Sequence, residues 1–430
     1  MEELLTHSLL DFIDNSPSMF HAAQSCIELL ESKDFRFLDP SSKWNITEGG
    51  KYYTKVNESA VIAFYVHSVD IEKDGFKIIG THCDVPGFKI KPNPQIYSEP
   101  YIKLNTEVYG GPILNTWFDR PLSIAGRVSI KSDNILKPQT KLVAIDKPLL
   151  IIPNLAIHMN KEVNKGIALD PQKDTLPLLA YCDENLDNHM LLTLIAQTLN
   201  VKKEEILDLD LYLYPYEKGL FVGIHEEFIS APRLDNLSMV YSSLYALMHA
   251  SSSKGISLFV CFDNEEIGSH TKQGADSLFL SNTLERICLA LNKSREDFFI
   301  ALSESFLISA DVAHLTHPNY IEKHDVTNKV FPGKGPAIKT SANSSYTTDS
   351  DSYAVLSALC KKENLPYQVF ANRSGEKGGS TIGPICSSLL SIRSIDVGIP
   401  ILGMHSLREL MAKDDFITTC KLFETFYSLS

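Results

Sequence analysis

The hydrophobic pattern at the start of the chain predicts two helices and then three strands. Apolar residues recur at helical spacing between residues 3 and 32, and this spacing breaks at Asn15, Ser16 and Pro17. The segments KYYTKV, AVIAFYV and FKIIGTHC follow, rich in β-branched and aromatic residues and separated by Asn, Asp and Gly. We expect them to be successive strands of one sheet.

The pattern changes between about Lys91 and Ile229. Many short strand-like pieces alternate here with Pro-rich turns, and helical spacing is found only at 188–200. After Pro232 the apolar pattern alternates between helix and strand, with helices expected over 280–292 and from Ser406 onward. The chain is therefore predicted to be an α/β sandwich with a largely parallel sheet, interrupted by a mostly β insertion.

Composition and charge narrow the functional classes. A chain of 430 residues is too long for one ordinary core and suggests two domains, or one large α/β domain with an insertion. The net charge of -13, without a Lys/Arg-rich run, argues against nucleic acid and anionic membrane surfaces as partners. No stretch reaches the ~18 apolar residues of a membrane helix, and the acidic N-terminus does not resemble a secretory signal, so a cytoplasmic protein is expected.

The cysteines favour a reducing compartment. They are scattered, form no C-x-x-C pair, and several lie inside apolar runs, so we expect buried thiols without disulfides or a zinc finger. The eight positions are Cys26, Cys83, Cys182, Cys261, Cys288, Cys360, Cys386 and Cys420.

Acidic residues and histidines cluster where the predicted strands end. In an open α/β sheet, ligands bind where strands give way to loops. Strand alternation places His82 and Asp84 on one face and Cys83 in the core, so that His82 is free to bind a metal while Asp84 orients it. The candidates come from five segments: His82 and Asp84, Asp235, Glu265 and Glu266, Asp311, and His405.

Each candidate also has a structural interpretation. His82 could be a hydrogen-bonded core histidine, Asp235 or Asn236 could cap a helix starting at Leu237, and two adjacent glutamates could favour a helix N-terminus. Taken together, however, several carboxylates in one crevice would repel each other unless cations compensate them. A mixed set of histidines and carboxylates suits zinc, manganese or cobalt.

Two further segments could contact a substrate. GEKGGSTIGP, residues 375–384, lacks phosphate-loop spacing, but its backbone N–H groups could hold a carboxylate or an oxyanion; a helix cap with a tight turn is the alternative. His314, His317 and His324 are close in sequence, which is compatible with a loop facing the substrate, although each could instead be solvated or buried in the core.

Together these motifs resemble the aspartyl aminopeptidase family of co-catalytic metallopeptidases, which is related to vacuolar aminopeptidase I. The similarity spans nearly the whole chain, and both the order and the spacing of the motifs agree. The motifs are DNSPSMFHAA, THCDVPGFKIKP, WFDRPLSIAGRV, IPNLAIHM, APRLDNL, FDNEEIGS, SADVAHLTHPNYIEKHD, GPAIKTSANSSYTTDS, GSTIGP and DVGIPILGMHSLRE.

The resemblance implies a fold, an assembly and a metal centre. Residues 1–90 and 232–430 would form a three-layer α/β sandwich metallopeptidase domain, and residues 91–231 an inserted, mostly β dimerisation domain of a dodecamer built from dimers. Two divalent cations would bind per subunit, with Zn²⁺ expected and Co²⁺ or Mn²⁺ as alternatives. The implied ligands are His82 and Asp311 for one ion, Glu266 and His405 for the other, and Asp235 as the bridge.

The resemblance also implies a reaction and a substrate. Glu265 would act as general base on a metal-bridged water, with Asp84 as second catalytic residue, and the enzyme would remove the N-terminal residue of peptides. Lys339 in GPAIK would favour Asp or Glu, Gly379 would contact the substrate, and His158 would reach a neighbouring subunit's active site. A surface lysine after a strand is the alternative for Lys339.

Two other functions share these residues. A di-metal amidohydrolase or deacylase on the same core would use the same ligands but select an N-acyl or C-terminal substrate. A self-assembling shell protein could retain the site without catalysis, although no ligand position or base is missing from this sequence.

Overall fold

The computed structural model describes residues 2–181, 189–250, 253–376 and 378–429. The helices within these residues are α1 Glu2–Asp14, α2 Met19–Glu31, α3 Ile71–Asp74, α4 Pro171–Asp174, α5 Met190–Leu199, α6 Leu234–His249, α7 Phe279–Ala290, α8 Arg295–Ser303, α9 Ser350–Lys362, α10 Ile382–Leu390 and α11 Lys413–Tyr427. The strands are β1 Arg36–Phe37, β2 Lys51–Val56, β3 Ala60–Val66, β4 Phe76–His82, β5 Gly87–Ser98, β6 Tyr101–Tyr109, β7 Leu122–Ile130, β8 Gln139–Ala144, β9 Leu178–Tyr181, β10 Ile206–Pro215, β11 Leu220–Val222, β12 Phe228–Ala231, β13 Ile256–Phe262, β14 Phe306–Ala310, β15 Ala313–His314, β16 Ala337–Thr340, β17 Gln368–Ala371, β18 Arg393–Gly398, β19 Pro400–Leu402 and β20 Glu409–Ala412.

A nine-stranded sheet forms the centre of the molecule. Its order is β1-β2-β3-β13-β4-β14-β18-β16-β17, and the four central strands β13, β4, β14 and β18 run parallel. Their carboxyl ends therefore meet at one edge, where β4 ends at His82, opposite Phe262 of β13. Three of the five candidate segments follow these ends in the sequence, whereas Asp235 follows β12 and His405 follows β19, which belong to another sheet.

Helices cover both faces of this sheet. Alternate residues of each central strand face opposite sides: Ile79 and Phe259 lie in one apolar core, and Ile78 and Leu258 in the other. Helices α1, α2, α6, α9 and α11 contribute to the first core, and α7, α8 and α10 to the second. Since apolar residues are buried on both faces, the strands read as nearly continuous hydrophobic runs. The predicted three-layer α/β sandwich is confirmed.

A second, antiparallel sheet is built from the middle of the chain. Its order is β8-β7-β10-β5-β6-β9, and one face packs with helix α5 around a separate apolar core. Strands β11 and β12 belong instead to a third sheet, in which β12 pairs with β20 near the C-terminus. The predicted mostly β insertion is present, and its division from the rest at residues 91–231 stays a prediction.

The prediction of a closing helix from Ser406 was wrong. Residues 409–412 form strand β20, paired with β12 on one side and β19 on the other, and helix α11 begins only at Lys413. Leu407, Leu410 and Met411 have a spacing that also fits a helix, but pairing with two neighbouring strands determines the conformation here.

The remaining sequence predictions concern the cysteines and the membrane. Seven cysteines are buried free thiols, whereas Cys182 lies outside the described residues. Within the described parts of the chain, no helix combines the length and the apolar character needed to cross a membrane.

Candidate metal centre and active site

Five chain segments bring the predicted ligands to one edge of the central sheet. His82 ends β4, Asp311 directly follows β14, and His405 follows β19. Glu265 and Glu266 lie in a 3₁₀ turn just after β13. The sequence positions at strand ends therefore predicted where these side chains meet.

Asp235 enters the site from a break at the start of α6. The backbone angles of Asp235 and its neighbour Asn236 are not helical, so the regular helix starts at Leu237. Asp235 is 4% exposed, and its Oδ1 atom has no hydrogen-bond partner among the described residues. The side chain points into the crevice, with an acceptor oxygen that a cation could use.

The two carboxylate oxygens of Asp235 face two different histidines. His82 Nε2 lies 3.5 Å from Asp235 Oδ1 and 3.7 Å from Asp311 Oδ1. On the other side, His405 Nε2 lies 3.5 Å from Asp235 Oδ2 and 3.4 Å from Glu266 Oε2. Asp235 thus stands between two His/carboxylate groups.

This donor set fits zinc. Zinc–ligand bonds of ~2.0–2.2 Å in tetrahedral geometry separate neighbouring ligand atoms by about 3.4 Å, close to the separations in both groups. The groups His82/Asp235/Asp311 and Asp235/Glu266/His405 each keep three ligand atoms within 4.8 Å of one another. Separations of this size are long for hydrogen bonds but suit donors that share an ion.

The pKa shifts of the clustered side chains also indicate a site that favours a bound cation. Burial raises the pKa of Glu265, His82 lowers it and the nearby carboxylates, Asp311 first, raise it, so that the net pKa is about 7. The pKa of Glu266 is raised well above its usual value by burial and by Asp235. Burial lowers the pKa of His405, but contact with Asp235 and Glu266 raises it to about 10. Cations would relieve the repulsion between these carboxylates.

Asp84 is buried behind the candidate metal ligands and contacts several of the candidate residues. Its Oδ1 atom lies 3.4 Å from His82 Nδ1, on the side of the ring away from the crevice. The same carboxylate accepts hydrogen bonds from the backbone N–H groups of Glu265 at 3.0 Å and Glu266 at 3.1 Å. Asp84 therefore touches three of the candidate residues, as expected for a residue that orients a ligand.

Comparison with known proteins identifies the family. The family described as aminopeptidase I zinc metalloprotease (M18) matches residues 12–427. The chain belongs to the M18 family. Two relatives described as probable M18 family aminopeptidase 2, from Clostridium novyi and Clostridium acetobutylicum, are 56% and 52% identical to it, with 98% of both chains covered in each case. The resemblance read from the motifs is confirmed, and the protein is a metallo-aminopeptidase.

Solved structures show the same fold. A chain of a structure titled as the Ape4 and Nbr1 complex superposes with a TM-score of 0.95 and is 36% identical, with 99% of this chain and 86% of that one covered. A structure of prApe1 superposes with a TM-score of 0.92 at 29% identity, covering 99% of this chain and 94% of that one. An M18 aminopeptidase from Thermotoga maritima, 22% identical, shares the fold with a TM-score of 0.87, covering 99% of this chain and 96% of that one.

Lys339 of this M18 chain is not a surface residue. It lies in strand β16 and is 2% exposed, with its Nζ atom 3.3 Å from Asp311 Oδ2 and donating to the Val312 carbonyl at 3.1 Å. Burial raises the pKa of Asp311, but the charges of Lys339 and His82 outweigh it and hold the pKa at about 2. Lys339 thus keeps Asp311 ionised.

A cleft of about 670 Å³ opens from the metal centre. Beside the ligands, its walls include His314, His324, Lys339 and Gly379. His317 instead hydrogen-bonds within its own loop, where its N–H donates to His324 Nε2 at 2.9 Å. The cleft-facing positions of His314 and His324 agree with the interpretation as a substrate-facing loop.

The glycine-rich segment reaches this cleft. Gly379 is exposed, a Cβ built there would meet nothing within 4 Å, and Thr381 caps helix α10 by accepting from the Gly383 N–H. Lys377, in the same segment, lies outside the described residues. The structure thus shows two things about this segment: it caps a helix, which was the structural alternative, and it also lines the cleft.

His158 lies apart from the other predicted site residues. It is exposed in the loop that follows β8, and it is absent from the walls of the cleft. Within one described subunit it therefore does not join the metal centre.

Sequence reasoning missed two groups that support the ligands. Glu409 is 3% exposed and accepts hydrogen bonds from the Asp235 and His405 N–H groups, both at 2.9 Å. Tyr109 and Gly111, at the end of β6, contact Asp84 and His405. A glutamate four residues after a ligand histidine was a usable signal for the first group, whereas the second depends on a long-range contact.

Proposed function

We propose that this aminopeptidase binds two zinc ions per subunit and uses them to hydrolyse the first peptide bond of peptides. His82 and Asp311 would hold one ion, Glu266 and His405 the other, and Asp235 would bridge them. The observation that carries this proposal is the position of Asp235, whose two oxygens each face a different histidine at 3.5 Å. Co²⁺ and Mn²⁺ suit the same donors.

Glu265 is the general base of the proposal. Zinc bound in this site supplies Lewis acidity, which lowers the pKa of a water molecule and polarises the scissile carbonyl. The Glu265 carboxylate takes a proton from the attacking water and returns it to the leaving amine. Glu265 is available for this role because neither of the two His/carboxylate groups around Asp235 includes it. Glu266 instead faces His405.

The surroundings of the site support a substrate with a free N-terminus. The free α-amino group of a peptide would bind beside the two ions, where Glu265 is the one carboxylate of the cluster assigned to neither of them and would pair with an ammonium group but not with a blocked amine. Fixing that group beside the scissile bond restricts cleavage to the first residue.

A preference for N-terminal Asp or Glu is the finer part of the proposal. An ammonium group has three donors, and Lys339 uses two of them on Asp311 and Val312, which leaves one for a substrate carboxylate. Arg373 also lines the cleft and adds positive charge, whereas the charge of Lys323 is paired with Glu376 at 2.9 Å. Because Lys339 is only 2% exposed, its charge would attract an acidic side chain more strongly than that of a fully solvated lysine.

We further propose a dodecamer built from dimers, in the cytoplasm. A structure titled S. cerevisiae mApe1 dodecamer is 28% identical and superposes with a TM-score of 0.85, covering 99% of this chain and 96% of that one. In the loop around His158, the side chains of Leu155, Ile157 and Met159 are exposed, which fits contact with a neighbouring subunit through segment 91–231. His158 would then contribute to the neighbour's cleft. Seven free thiols fit a reducing compartment.

One experiment separates this proposal from its alternatives. The protein is stripped with a chelator and reloaded with Zn²⁺, Co²⁺ or Mn²⁺, and turnover is measured on aspartyl and leucyl reporters and on matched N-acetyl-aspartyl reporters. An aminopeptidase hydrolyses only the free-amine reporters and only when loaded. Hydrolysis of only the acetylated reporters would indicate a deacylase, and no turnover by a metal-loaded protein would indicate a shell protein. Full activity without metal would contradict all metal-dependent functions.

A further inference from the structure

One turn of the antiparallel sheet from the middle of the chain packs against the candidate metal centre. Strand β6 ends at Tyr109, and Gly110 and Gly111 follow directly. Gly110 has φ of +66°, and a Cβ built there would lie 3.2 Å from Glu266 Cβ. The turn therefore packs against the segment that carries a ligand, at a position that favours glycine.

Tyr109 contacts Asp84, the residue that lies beside His82. Its hydroxyl donates to Asp84 Oδ2 at 2.8 Å and accepts from Asn264 Nδ2 at 2.8 Å, and the residue is 8% exposed. Burial, with the charges of Asp84 and Asp263, raises the pKa of Tyr109, so its hydroxyl stays a donor. The other oxygen of Asp84 faces His82 Nδ1. Tyr109 thereby helps to fix Asp84, which also accepts a hydrogen bond from His82 Nδ1 at 3.2 Å through its backbone carbonyl.

Gly111 contacts His405 directly. Its carbonyl lies 3.0 Å from His405 Nδ1, and an acceptor there requires that Nδ1 carry the proton. In the neutral form of His405, the form that binds a metal ion, the lone pair is then on Nε2, the atom that faces Asp235 and Glu266. The backbone N–H of Ile113 also donates to the His405 carbonyl at 2.9 Å, so the same segment holds the main chain of the histidine.

We propose that Tyr109 and the Gly110–Gly111 turn are positioning residues through which the antiparallel sheet orients both metal-binding histidines. This inference rests on the proposed zinc centre. The two histidines are 323 positions apart in sequence, yet both depend on groups within three residues of one turn. A shift of the sheet would therefore disturb both ion sites together. Groups that orient metal ligands typically change metal affinity by ~10–100-fold.

The test is zinc affinity in Tyr109→Phe, measured by competition with a chromophoric chelator. The change removes the hydroxyl and keeps the ring, which packs edge-on against Tyr212 at 5.6 Å. Tyr212→Phe is the matched control, since it makes the same chemical change in the same ring pair but leaves the Asp84 contact in place. We expect ~10–100-fold weaker zinc binding in Tyr109→Phe only, with a changed visible spectrum of its Co²⁺ form.

Two outcomes are decisive for different claims. If wild type binds zinc and Tyr109→Phe binds it equally tightly with the same Co²⁺ spectrum, the positioning role is refuted while the proposed function stands. If wild type binds no zinc, the proposed function itself fails. Gly110→Ala, which places a Cβ against Glu266, is a second variant for the case that Tyr109→Phe does not fold. Its zinc affinity and its Co²⁺ spectrum are measured in the same way.

Discussion

Substituting Glu409 by glutamine tests whether a residue that only holds the proposed ligands in place affects stability and zinc affinity. Glu409 Oε2 accepts from the Asp235 N–H and Oε1 from the His405 N–H, both at 2.9 Å. Glutamine has nearly the same shape but only one acceptor oxygen, so its NH₂ group must face one of the two N–H groups. Glu409→Gln therefore leaves a buried donor without a partner beside the bridging aspartate or beside His405.

The size of the effect follows from this count. An unsatisfied buried donor costs about 1–3 kcal/mol, so the free energy of unfolding of the metal-free protein should fall by that amount. Loss of a group that holds ligands should also weaken zinc binding by ~10–100-fold. Since a ligand stabilises the folded state in proportion to the logarithm of its affinity, zinc should then add about 1.4–2.7 kcal/mol less stability than in wild type.

Urea unfolding with and without zinc measures both quantities. The matched control is Glu363→Gln, because Glu363 is exposed at the end of helix α9 and the same chemical change there should alter stability by less than ~0.5 kcal/mol. Equal unfolding free energies for Glu409→Gln and the control, together with an unchanged gain from zinc, would refute the supporting role of Glu409.

Three further predictions concern catalysis, specificity and assembly. Glu265→Gln should keep its metal while kcat falls by ~10²–10⁴, whereas Glu266→Gln should lose metal; equal metal contents in the two variants would contradict their division of roles. Lys339→Met should lower kcat/KM for all reporters through the lost contact with Asp311, but for aspartyl and glutamyl reporters by an additional factor equivalent to roughly 2–5 kcal/mol, and an equal loss for all would make the lysine structural only. His158→Ala should reduce turnover without changing metal content or the particle mass in light scattering, and normal turnover would exclude a role across the subunit contact.

The convergence of several candidate residues could be predicted from the sequence because these residues follow strand ends. His82, Glu266 and Asp311 each come directly after or at the end of a buried apolar run, and the parallel order of β4, β13 and β14 brings such ends together. The alternation of His82 with Cys83 likewise predicted that the thiol lies in the core, where it is 1% exposed.

Long-range contacts limited what could be predicted. Gly111 meets His405 across 294 positions, and nothing local to either residue indicates this pairing. Lys339 is expected to face a substrate, but the sequence does not show that its ammonium group also lies 3.3 Å from Asp311. The segment after Ser406 has helical spacing but pairs as a strand with β12, which only the folded neighbours determine.

The central claim is that Asp235 holds two cations together, and native mass spectrometry of zinc-loaded protein tests it directly. Asp235→Asn keeps the size of the side chain but removes the charge that both histidines face. We predict two zinc ions per subunit in wild type and fewer than two, with little turnover, in Asp235→Asn. Two retained ions in the variant, or full activity of wild type with a single ion per subunit, would contradict the account.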